Sequence, residues 1–264
     1  MFDSQNSRGK ALYPHDLLKA FHLRAMQADL YEMEHSVKIW EDKNPKTIKE
    51  IFGDYLFAIC NWTRCQKTYE FTDKSIDMFK GADLSQSYSY AVRAFKSSPV
   101  FQINEPFIVG KDFFAYVEHY IQLLSDIRRM LEESPDFAEM SDIIKNPIYR
   151  GSVGFKYCSI LFYCAVLCYY DRFHCMDKMA ITRLFIWSFM LRVDMRHLGF
   201  DTINLYAIGY GNDHYSNHFQ MFSRIVNART HTEISNLSIA CRKNDKNADK
   251  WNTLGEKLIK MNGR

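Results

Sequence analysis

The run YCSILFYCAVLCYY, residues 157–170, decides what kind of protein this sequence makes. A helix that crosses a bilayer needs about 20 consecutive apolar residues. This run is shorter, and Lys156 and the pair Asp171–Arg172 close it tightly on both sides. It therefore reads as the centre of a buried helix over about 153–172. A second apolar helix is expected over about 176–197, carrying LFIWSFML at 184–191. Neither stretch has a clean polar face, which places both at the centre of a bundle rather than on its surface.

Working outward, the remaining pattern is also helical. Pro14 suits a first helical turn, and a helix is expected from there to about Trp40. Leu17, Leu18, Phe21, Ala25 and Ala28 would form its inward face. Ile48, Ile51, Phe52, Tyr55, Leu56 and Ile59 repeat at helical spacing over 47–61. Thr72 is a natural cap for a short helix after it. From Lys111 to Glu133 another apolar stripe appears, followed by a helix over 136–145. KNPIYRGSVG interrupts the pattern. Further helices are expected near 214–228 and 248–261, with the solvated stretch CRKNDKNADK between them. The apolar pieces flanking Asn104–Pro106 suit a small β-hairpin over 100–109. The expected fold class is all-α, a multi-helix bundle with two buried central helices.

Composition agrees. The chain has 264 residues, with only 11 Gly and 6 Pro to break helices, and 20 Phe and 16 Tyr to fill a bulky core. A net charge of +3 permits nucleic-acid contact without demanding it. The seven cysteines are odd in number and form no C-x-x-C pair. They are expected as reduced, mostly buried thiols in a cytoplasmic protein with no membrane segment.

Few motifs carry chemistry. GYGND at 209–213 lacks the rest of a phosphate loop. His214 and His218 are four apart and would share a helical face, but spacing supplies no third metal ligand. No metal site is expected. Arg192 and His197 lie near the end of a long helix with four residues between them. That spacing resembles the active motif of HEPN-type ribonucleases, in which the histidine works as acid or base and the arginine stabilises a phosphate. The same arginine would also sit well beside the negative end of the helix dipole.

The opening MFDSQNSRGKALYPHDLLKAFHL carries a more specific pattern. Phe2, Asn6 and Leu12 fit F-x-x-x-N-x-x-x-x-x-L, with Arg8 and Gly9 inside it. This opening resembles the DGQQR-containing, ParB-like family of GmrSD-type restriction endonucleases. The segments WEDKNPKTIKEIFGDYLFAICNW, FTDKSIDMFKG, GKDFFAYVEHY and YYDRF with FIWSFMLRVD resemble the helical part of that family, and the likeness covers roughly residues 1–225. No DGQQR occurs in the chain.

The resemblance implies three parts. Residues 1–12 would be the end of a truncated ParB-like nucleotide-binding domain. Residues 13–228 would be a helical domain, and 229–264 a polar, basic C-terminal tail. Phe2 and Leu12 would anchor a turn, Asn6 and Gly9 would shape it, and Arg8 could reach a nucleotide phosphate. In the family, nucleotide hydrolysis belongs to the DGQQR half and DNA cleavage to an HNH-type segment. This chain would therefore hold no cofactor and be inactive alone, nucleotide and divalent metal requiring the other half. The implied function is the helical portion of an anti-phage restriction protein, positioning DNA or relaying nucleotide state. The implied partners are a chain carrying DGQQR, and DNA. A HEPN-like ribonuclease using Arg192 and His197, or a helical interaction scaffold, are the alternatives.

Overall fold

The long apolar run forms a single helix in the computed structural model, which describes residues 12–26, 30–82 and 101–263. The protein is all-α. Among the described residues the only β pairing is an isolated bridge between Ala82 and Ile108. The hairpin expected over 100–109 is not formed: residues 101–110 run as turns, and Phe107 and Ile103 turn inward as anchors. Contacts divide the chain into two compact units, so the expected single helical domain over 13–228 is shared between them.

The first unit takes in Met1–Gly53, Glu70–Phe101 and Glu105–Ile121. Its helices are α1 (Pro14–Ala25), α2 (Leu30–Glu41), α3 (Pro45–Glu50) and the first half of α5 (Lys111–Glu133). Pro14 opens α1, and the Asp16 carboxylate accepts the backbone N–H of Tyr13 at 3.1 Å. The buried residues of α1 are His15, Leu18, His22 and Leu23, followed by Met26 just past its end, not the side read from the sequence. Of the expected inward face, Leu18 is buried while Phe21 and Ala25 are exposed; Ala28 lies outside the described residues.

The reason is His22. Its Nε2 lies 2.9 Å from the Phe79 carbonyl, and its Nδ1 accepts the Gly110 N–H at 3.1 Å. One neutral tautomer satisfies both bonds, with Nε2–H as donor. The ring stacks on Phe113 at 4.0 Å between centroids. Phe52, Phe71 and Phe79 extend the aromatic cluster.

The second unit takes in Asp54–Tyr69, Gln102–Asn104 and Gln122–Arg264. Its helices are α4 (Phe57–Trp62), the second half of α5, α6 (Ala138–Lys145), α7 (Pro147–Arg150), α8 (Val153–Phe173), α9 (Lys178–Asp194), α10 (Phe200–Ala207), α11 (Met221–Asn227), α12 (Thr232–Ser235) and α13 (Asp249–Asn262). A π-helical turn, Ile51–Leu56, joins α3 to α4 in the helical stretch expected there. The two expected central helices are α8 and α9. Leu161, Phe162, Leu184, Phe185 and Phe189 are fully buried. Each such side chain contributes roughly 1.5–3 kcal/mol relative to an exposed one. By length and composition α8 could cross a membrane, but most of it is buried inside this unit. Asp177 caps α9, accepting the Ala180 N–H at 2.8 Å.

The segment 229–264, expected as a polar tail, is part of this core over its described residues, 229–263. Trp251, Leu254, Leu258 and Met261 are buried along one side of α13, which packs on α9. CRKNDKNADK does not float free either. Asn247 donates through Nδ2 to the carbonyls of Arg192, Val193 and Met195. Asn244 does the same for Asp194, at 2.7 Å. These amides satisfy the carbonyls that a helix end leaves without partners. Arg242 pairs with the buried Asp194 carboxylate at 3.0 Å, and Ser216 donates to it through both its backbone N–H and its hydroxyl.

Candidate functional site

The end of α9 opens onto a surface depression of about 700 Å³ in the second unit. Residues 152–154 form one wall, Arg192 the floor, and residues 196–202 the other wall. The lining thus combines the first turns of two helices, α8 and α10, with three basic side chains.

Arg192 is only 5% exposed. Its guanidinium donates to the carbonyls of Met195 and Arg196 and lies over the Trp251 ring at 4.2 Å from its centroid. Burial pulls its pKa below the ordinary arginine value, yet an arginine remains charged in a protein. Its Nε–H is buried with no partner. The side chain crosses directly in front of Gly154. A Cβ placed there would stand 3.6 Å from Nη1 and 3.1 Å from the Leu198 Cβ.

Neither helix start is capped by a side chain: Ser152 makes no capping bond at α8, and Gly199 has no side chain to make one at α10. The first N–H groups of a helix have no partners within it and carry the positive end of its dipole. No acidic residue sits in the first turn of α8, whereas Asp201 sits in that of α10.

The structure thus brings both ribonuclease-motif residues to one depression, but not on one helix. α9 stops at Asp194, so His197 follows it in an exposed bend, beside exposed Arg196. Arg196 and the two helix starts were missed in the sequence. GSVG and HLGF each juxtapose glycine with a helix start, but nothing in the sequence says that these segments meet.

The other expected residues fall elsewhere. Phe2, Asn6, Arg8 and Gly9 lie outside the described residues. Leu12 is 54% exposed, just ahead of α1. His214 and His218 do not share a helical face, because the helix expected near 214–228 begins only at Met221. The His218 ring instead accepts the Asn212 N–H at 3.3 Å. Among the described residues, no group of three or more His, Cys, Asp or Glu side chains is placed to hold a metal ion. The buried thiols of Cys60 and Cys158 are both pushed up to about 12 by burial, which makes them poor nucleophiles.

A family model described as a family of unknown function (DUF7834) matches residues 32–253. No curated protein matches the chain. No solved structure matches it either.

Proposed function

The chain belongs to that family of unknown function, and from its own residues we propose that it is the helical module of a GmrSD-like restriction system, working beside a partner that carries DGQQR. The observation that supports this reading is the outer face of α1. Leu17, Phe21 and Ala25 lie one turn apart, and Phe21 and Ala25 are exposed. Leu12 and Tyr13 extend the apolar surface at the head of the helix, 54% and 40% exposed. In the sequence this helix directly follows the F-x-x-x-N-x-x-x-x-x-L pattern. An apolar helix face beyond what the chain's own core uses suits a partner domain. The module would then hold DNA in place or pass nucleotide state from the partner to a nuclease, in the cytoplasm.

Co-expression with a DGQQR-bearing protein of the same host, followed by size exclusion, tests the reading. Co-elution is expected, together with its loss in Phe21→Glu. A Phe21→Glu chain that co-elutes as before, or a wild-type chain that never does, removes the docking role.

The shared depression favours one second reading, a HEPN-like ribonuclease in which His197 moves the proton and Arg192 faces the phosphate. His197→Ala should then abolish RNA cleavage by the purified chain, and unchanged cleavage ends that reading.

A further inference from the structure

We propose that the depression between the first turns of α8 and α10 is a seat for a phosphate group, with Arg192 at its floor and Arg196 and His197 at its mouth. This stands without α1 docking; it deepens the phosphate contact of the ribonuclease reading at the same depression and requires no cleavage, so phosphate binding and RNA cleavage fail separately.

Three independent features converge there. The first is positive charge that cannot leave: Arg192 is nine-tenths buried, pressed against Trp251, and part of the lining of the depression. One carbonyl accepts from Nη1 and one from Nη2, and since these two nitrogens carry four N–H groups, donors are left over. The second is the pair of uncapped helix starts, each offering free N–H groups and a positive dipole end to the same space. The third is room: about 700 Å³, open to solvent, is more than a phosphate needs and admits the chain attached to it. Gly154 contributes by omission, since a Cβ there would crowd Leu198 at 3.1 Å.

Asp201 sets the charge of the ligand. The residue is part of the same lining, and its negative charge opposes a second one on the ligand. A phosphodiester, with one charge, suits the seat better than a terminal phosphate with nearly two at neutral pH. The shared chemistry is a phosphate group; the preferred source is the backbone of a nucleic acid.

Amide NMR of the full chain separates the sources. The probes are inorganic phosphate, thymidine 5′-monophosphate and the dinucleoside monophosphate TpT. TpT is expected to shift the Gly154 and Thr202 amides most at equal concentration. Arg196 is exposed and its side chain is not used in folding, so Arg196→Ala should keep the fold and weaken binding about fivefold. Asp201→Asn should tighten binding of the doubly charged probes. If thymidine monophosphate binds more tightly than TpT, the seat stands and its source is a terminal phosphate. If no probe shifts these amides, or Arg196→Ala titrates like wild type, the seat is overturned. Because Phe21 is not involved, a failed α1 docking test leaves this result untouched, and the reverse also holds.

Discussion

Acidifying the protein should loosen the first unit through His22. The ring is fully buried against Phe107 and Phe113, and burial lowers its pKa from 6.5 to about 4. A depressed histidine pKa means that the unfolded chain binds the proton first as pH falls. The stability due to neutral His22 is therefore fully present above about pH 6.5 and is lost between there and pH 4. Between pH 7 and pH 4.5 the loss amounts to about 2 kcal/mol. Protonation also strips Nδ1 of its lone pair, so the Gly110 N–H loses its acceptor. The measurement compares wild type with His22→Phe, which keeps an aromatic ring but cannot titrate. Urea unfolding at the two pH values gives the global loss, and hydrogen exchange of the Gly110 amide gives the local one. His15 is lowered too, by burial, and the comparison cancels it because both chains carry it. Wild type should lose about 2 kcal/mol more than the variant on acidification. Parallel losses in the two chains would refute the argument.

Two further substitutions probe the second unit. Asn204 is buried; its Oδ1 accepts from the Trp62 indole and the Thr68 N–H, both at 2.9 Å, and its Nδ2 donates to the Thr68 carbonyl at 2.8 Å. Asn204→Ala orphans all three groups and should cost about 3 kcal/mol in chemical denaturation, as each buried unpaired group costs roughly 1–3. Trp251→Ala removes the ring under Arg192 and the anchor of α13, and should cost about 3–5 kcal/mol. It should also leave 239–263 unprotected in hydrogen exchange, whereas a merely trailing segment would show no protection in wild type either.

Sequence alone determined the fold class and most helix positions. Long stretches with 3.6-residue periodicity and few breakers admit little but helix, and α5 and the α8–α9 pair appear where their apolar patterns lie. Phase was harder. The helix led by Pro14 is apolar on two sides, so periodicity alone could not say which side the core takes. The tertiary structure decided it through a polar residue: His22 enters the core because Phe79 and Gly110, far away in sequence, satisfy both of its ring nitrogens. The same holds for 229–264, where a short apolar stripe among charges looked solvated until the end of α9 supplied carbonyls for Asn244 and Asn247. Arg192 and His197 were legible as a spaced pair. Their setting was not, because the depression needs the start of α8 to stand against the loop after α9, and that proximity is a property of packing, which no local pattern encodes.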